Sequence, residues 1–114
     1  MIILIAAAVM AANLKPELLN ARPVVSTDDY PARALRAMEQ GTTAVRITVD
    51  AAGTPAKCNV VQSSSSADLD DHTCALYMRR AHFRPATNAE GIAIEGIFDA
   101  RASWTLHQSA PPQN

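Results

Sequence analysis

Three groups of residues in this chain are of types that can do chemistry. Asp68, Asp70, Asp71 and His72 bring three carboxylates and an imidazole within five positions, which is material for a metal site or an acid–base pair. Their place in the chain argues for a plainer role. Carboxylates at the start of a helix cap free N–H groups and complement the positive end of its dipole, and no second ligand cluster exists to close a site. Ser63, Ser64, Ser65 and Ser66 are potential nucleophiles, but no G-x-S-x-G elbow surrounds them. Serines before a helix compete for backbone groups and cap it. His82 and His107 are isolated and read as surface residues. The four glycines are dispersed, so no phosphate-cradling loop is spelled out. The chain is therefore read as a non-enzyme, with no catalytic residue, no metal ligand and no cofactor.

Cys58 and Cys74 are the third group. They lack C-x-x-C spacing, which argues against thioredoxin-like exchange, and two thiols without further ligands make a poor zinc site. The first twelve residues are an unbroken apolar run. A membrane-spanning helix needs about 20 such residues, whereas a signal-peptide core is shorter and ends in small residues, as Ala11-Ala12 do here. Residues 1–12 are read as a signal peptide or truncated anchor. An even cysteine count behind such a start reads as one disulfide, with a reduced, buried pair as the alternative.

The elements that position these residues follow from periodicity. With 48% hydrophobic and 18% charged residues in 114, the chain can bury one core, and a net charge of -1 without a basic cluster excludes nucleic acid as a partner. Residues 13–27, with Pro16 and Pro23 and weak periodicity, read as a tether in which Val24-Val25 is an apolar pair. Asp28-Asp29 and Pro31 open a short helix whose apolar face is Ala34, Leu35 and Met38, and which stops at Gly41. Val45, Ile47 and Val49 alternate with polar residues, as do Ala56, Cys58 and Val60 after a turn at Gly53, so the two runs read as a β-hairpin. Ser66 or Asp68 caps a helix over residues 69–81, which Pro85 terminates. Its phase is ambiguous: Leu69, Thr73, Leu76 and Phe83 mark one face, Cys74, Tyr77, Met78 and Ala81 another.

Residues 91–106 form the longest alternation. Ile92, Ile94, Phe98, Ala100, Ala102, Trp104 and Leu106 share one parity, Glu95, Asp99, Arg101, Ser103 and Thr105 the other, with Ile97 the apolar exception. Sixteen residues exceed a typical strand, so Gly96 marks a bend or bulge. This order predicts an α+β domain: a three-stranded antiparallel sheet with two helices on one face, and Phe98 and Trp104 in the core. The last strand is an edge, which can accept an added strand.

Several phrases carry a resemblance. They are Tyr30-Pro31-Ala32-Arg33-Ala34, Gly41, the Val45 to Val49 alternation, Asp50 with Gly53, and Val60-Val61-Gln62-Ser63-Ser64. Leu69-Asp70 and Arg80-Ala81-His82-Phe83-Arg84-Pro85-Ala86 complete them. In this order and spacing the chain resembles the C-terminal domain of TonB-family energy transducers across residues 30–106. The cysteines resemble a subset of that family with C-x-V-x-x-S-S and L-D-x-x-T-C phrases. The resemblance implies a domain over residues 28–107, followed by a disordered tail, residues 108–114.

It also implies a periplasmic module that assists TonB-dependent transport by pairing its last strand with TonB-box peptides of outer-membrane receptors. Carried over, the peptide-binding residues are Asp29, Tyr30, Pro31 and Ala32 in the opening segment and Ile97, Asp99, Arg101 and Ser103 on the strand. The chain departs from the family in two places. Asp28-Asp29 stands where a neutral residue is usual, and a tether of fifteen residues spans only about 50 Å when extended. The alternative is a structural or accessory envelope protein with neither receptor binding nor energy transduction, in soluble or membrane-anchored form.

Overall fold

The computed structural model describes residues 14–106; the apolar run read as a signal peptide or anchor, and the tail with His107, lie outside the described residues. The element order is β1 (Glu17–Leu18), a 3-10 turn (Thr27–Asp29), α1 (Ala32–Arg36), β2 (Gly41–Val49) and β3 (Pro55–Gln62). After these come α2 (Ala67–Arg80), β4 (Phe83–Arg84), β5 (Ala86–Thr87), β6 (Ala93–Ile94) and β7 (Gly96–Trp104). The main sheet is antiparallel with order β3-β2-β7, and β1–β4 and β5–β6 make two short ribbons. Helices α1 and α2 lie on one face, giving the α+β architecture read from the sequence.

The centre of the sheet is the strand with the cleanest alternation. Val45, Ile47 and Val49 on β2 are fully buried against α2, each such side chain contributing about 2 kcal/mol by leaving water. The β2–β3 turn is fixed by the Asp50 carboxylate, which accepts from the Ala52 and Thr54 amides at 2.9 Å each. Gly53 has φ +86°, and a Cβ there would lie 2.2 Å from the Phe83 carbonyl oxygen, so only glycine lets the turn touch β4.

Helix α2 opens on Ser66, whose hydroxyl accepts from the Leu69 amide at 3.2 Å. The two faces read from the sequence merge into one stripe. Leu69, Thr73, Leu76 and Tyr77 are buried, while Cys74 is half-buried and Met78 exposed. Cys74 on the flank of that stripe reaches the outer strand β3 and forms a disulfide with Cys58, with Cα atoms 5.7 Å apart. Trp104, 2% exposed, donates its indole N–H to the Thr73 hydroxyl at 2.9 Å, and that hydroxyl donates to the Leu69 carbonyl at 2.7 Å. The helix is thereby tied to both outer strands.

Asp70 is the polar centre of the assembly. One carboxylate oxygen accepts from the Thr43 hydroxyl at 2.8 Å, the Ser64 amide at 2.9 Å and the Ser64 hydroxyl at 2.8 Å; the other accepts from the Ser63 hydroxyl. Burial pushes its pKa up, but these hydrogen bonds outweigh it and hold the carboxyl below its ordinary range. The serines thus serve as donors to a buried charge as well as a helix cap.

The structure departs from the sequence reading at four places. Leu35 and Met38 are 50% and 68% exposed, leaving Ala34 as the only buried residue of α1. The helix stops in a left-handed Met38 at φ +56°; Gly41 instead begins β2, where a Cβ would meet the Ser64 carbonyl oxygen at 2.4 Å. The long alternation breaks at Glu95, so Ile92 is 60% exposed and Phe98 only half-buried, stacked edge-on to Phe83. Residues 14–27, expected as a tether, are docked: β1 pairs with β4, and Val24 is 3% exposed.

Two outcomes follow from these anchors. Asp70→Asn replaces one carboxylate oxygen by an NH2 group that must face at least the Ser63 hydroxyl donor, removes the charge that the other three donors meet, and is expected to cost about 2–4 kcal/mol, read as a lower urea midpoint. Reduction of Cys58–Cys74, sixteen residues apart, is expected to cost on the order of 3 kcal/mol. Thiol titration of the denatured, unreduced protein should find none free, and two reactive thiols would contradict the pairing.

Candidate interaction edge

The candidate site is built on β7. Its register with β2 runs from Gly41↔Trp104 to Val49↔Gly96; among the described residues β2 is its one neighbour, and its other side is an edge of the sheet. Alternation sends Phe98, Ala100, Ala102 and Trp104 toward the core, and leaves Ile97, Asp99, Arg101 and Ser103 exposed on the helix-free face. Backbone groups on such an edge await partners, while side chains of alternate parity set what can approach.

Along the second half of this edge lies an open groove of about 350 Å³. Arg101, Ser103 and Thr105 form one wall, Pro23 to Thr27 the other, and Tyr30, Tyr77 and Trp104 contribute its aromatic floor. Tyr30 stands edge-on to Trp104 with ring centroids 5.3 Å apart and planes at 80°. Its hydroxyl donates to the Glu39 carbonyl oxygen, and burial, with the nearby charge of Glu39, pushes the phenol's pKa up.

The far wall is held by Asp29. Its carboxylate accepts from the two terminal nitrogens of Arg80 at 2.8 and 2.9 Å, and from the Ser26 amide at 2.9 Å. Arg80 also donates to the Val24 carbonyl at 3.1 Å, so one guanidinium ties the wall to the end of α2. The Arg80 hydrogen bond is the main cause that lowers the Asp29 pKa to about 2, against a raising contribution from burial.

The eight residues carried over from the resemblance are thus distributed rather than gathered. Tyr30, Arg101 and Ser103 meet in the groove. Asp29 props its wall and is occupied by Arg80. Pro31 and Ala32 turn away, into a recess shared with Asp68 and His72 between α1 and α2. Asp99 sits opposite Arg46 and pairs with it at 2.9 Å, and Ile97, 43% exposed, lies toward the strand's other end. Arg101 has no ion-pair partner among the described residues.

Sequence reasoning missed Leu18, Val25, Ser26 and Thr27 as lining residues, because it read them as tether. The apolar pairs Leu18-Leu19 and Val24-Val25 were the available signal. The acidic cluster disperses into structural roles: Asp70 is buried in its donors and Asp68 pairs with Arg33 at 3.6 Å. Among the described residues no three His, Cys, Asp or Glu side chains are grouped to hold a metal ion. No described helix is long and apolar enough to cross a membrane.

Residues 26–106 match the family model described as the C-terminal domain of the Gram-negative bacterial TonB protein. No curated protein matches the chain.

Asp29 gives this wall a pH signature. Its carboxyl falls from 3.8 to about 2 on folding, so it stabilises the fold above about pH 4 and loses that contribution as pH drops toward 2. Asp29→Asn is expected to weaken the domain at neutral pH by about 1 kcal/mol, since Arg80 is partly solvated, and to flatten the stability loss below pH 4. Urea unfolding followed by Trp104 fluorescence at pH 7 and pH 3 measures both. An unchanged difference between the two pH values would contradict the assignment.

Proposed function

The chain belongs to the TonB C-terminal family, and from that premise we propose that it is a periplasmic module which takes an extended peptide onto the outer edge of β7. The partners are the TonB-box segments of TonB-dependent outer-membrane receptors, and the role is to assist their transport. The observation that carries this reading is the juxtaposition of a singly paired strand with a groove walled by residues 23–27. Strand addition draws its affinity from main-chain hydrogen bonds, which an edge supplies in series. Selectivity comes from the side chains on either side of that edge.

The chemistry of the groove agrees. An aromatic and aliphatic floor takes apolar side chains pointing inward from the added strand, and Arg101, Ser103 and Thr105 meet those pointing outward. Among the described residues, the candidates for covalent or acid–base chemistry read from the sequence, Ser63 to Ser66, Asp68, Asp70, Asp71, His72 and His82, lie outside this groove. The disulfide fits an oxidising compartment, which supports placement in the envelope outside the cytoplasm.

The test is a titration of the isotopically labelled protein with TonB-box peptides from the same genome's receptors. Shifts should concentrate on residues 101–105 and on Ser26 to Tyr30. Ser103→Pro removes a backbone donor from the strand and should abolish those shifts, provided the variant keeps its native Trp104 emission. Binding that survives this substitution would move the site off β7, and no shifts at millimolar peptide would leave the structural or accessory envelope role.

A further inference from the structure

We infer that residues 14–20 form a releasable clasp at the start of β7, one that limits how long a strand the edge can accept until the clasp opens. The inference rests on reading that edge as a site of strand addition.

The path of the arm motivates it. Pro16 is buried, and a Cβ built on Gly96 would meet its ring carbons at 3.0 and 3.1 Å, so the arm lies directly against the first residue of β7. Lys15 is close enough to add to the lowering of the Asp99 pKa, behind the dominant hydrogen bond from Arg46. Leu18 packs on the core at the near end of the groove. Farther along, Pro23 to Thr27 stand off β7 and leave the groove open beside residues 101–105. Gly96 shares the core-facing parity of Phe98 and Ala100 and Asp99 has the opposite one, so Pro16 and Lys15 bracket the start of β7 from its two faces, and the arm departs from the strand beyond.

The arm passes the start of β7 and, among the described residues, makes no ladder with it. Its described hydrogen bonds go to residues 80–84 instead. Glu17 and Leu18 pair with Arg84 and Phe83, and the Leu19 amide donates to the His82 carbonyl at 2.8 Å. The Asn20 side chain bridges two backbone groups, donating to the Arg80 carbonyl at 2.9 Å and accepting from the His82 amide at 2.8 Å. Glu17 and Arg84 form an ion pair with both side chains more than half exposed (57% and 59%).

A two-residue ladder and a solvated ion pair are weak holds, of the kind found in locally opening segments. Leu14 and Leu19 point outward, 68% and 48% exposed, and add little. What keeps the arm down is Pro16, Leu18 and the Asn20 bridge. Closed, it leaves about five residues of β7 for an incoming strand; open, it frees the strand's whole length. A longer peptide must therefore wait for the open state, and its apparent affinity falls by the open fraction.

Asn20→Ala removes both bridge hydrogen bonds and leaves in place the groove wall of residues 23–27 and the strand residues 101–105. TonB-box peptides of five and of nine residues, from the same receptors, are titrated into the labelled full chain. The nine-residue peptide should bind roughly fivefold to tenfold tighter to Asn20→Ala than to the native chain, with shifts reaching residues 97–99. The five-residue peptide should bind both equally, which also shows the groove and fold to be intact. Glu17→Lys, which sets like charge against Arg84, must act in the same direction. Equal nine-residue affinities, or tightening by only one of the two variants, would overturn the clasp while leaving strand addition in place. If neither peptide binds any of these proteins, strand addition itself fails and the clasp falls with it.

Discussion

The buried carboxylate of Asp70 is the constraint on which the rest of the domain depends. A single 14-residue helix must cover one face of a three-stranded sheet, and its rotation about its own axis decides which side chains meet that face. Asp70 settles the rotation by gathering Thr43 from β2 and Ser63 and Ser64 from the link after β3 onto one side chain. A buried charge is costly unless every lone pair is met, and here the donors outweigh the cost of burial. With that position set, Leu69, Thr73, Leu76 and Tyr77 face the sheet, Cys74 reaches Cys58, and Thr73 receives Trp104. The sheet's three strands are each anchored to α2 by different chemistry: ionic hydrogen bonding, a covalent bond and an indole donor.

The second constraint is that a three-stranded sheet has two edges. On β7 the helix-free face carries Asp99, Arg101 and Ser103, and the Arg46–Asp99 pair lies directly across the β2–β7 ladder. Such exposed charge discourages uncontrolled edge pairing while leaving the backbone available. The same strand is held rigid from beneath, where Trp104 is clamped between Thr73 and the ring of Tyr30. A rigid strand loses little conformational freedom on accepting another, which favours recognition through the main chain.

Much of this was legible in the sequence, for a physical reason. Period-two runs with one wet face declare their own register, so β2, β3 and the inward parity of Ala102 and Trp104 could be read directly. The serine and aspartate run before α2 announced a helix start, and even cysteine count announced the staple. What was hidden depends on tertiary contact. Nothing local distinguishes Asp70, which is buried, from Asp71, which is not. Leu35 and Met38 look apolar enough for a core that α1 is too short to reach. The break at Glu95 and the docking of residues 14–25 are decided by Gly96 and Pro16 coming together across some eighty positions of chain. At the edge, the parity of Arg101 and Ser103 was readable, but their meeting with residues 23–27 required the docked arm.

The distribution of polar chemistry bears on what such a domain can be for. Asp70, Asp29 and Asp99 are each committed to partners that fix the fold, and Asp68 to Arg33. With these four carboxylates paired, the surface offers the groove an aromatic floor, hydroxyls and Arg101, which has no ion-pair partner among the described residues. On the proposed reading, that set suits an extended backbone and the alternation of a strand more than any particular functional group. Such a module would accept several related segments that share an extended conformation, with discrimination arising from how much of β7 they reach. Because Asp29 and Arg80 join the groove wall to the end of α2, and α2 is fixed to the sheet by Asp70, the width of that groove is set by the core itself.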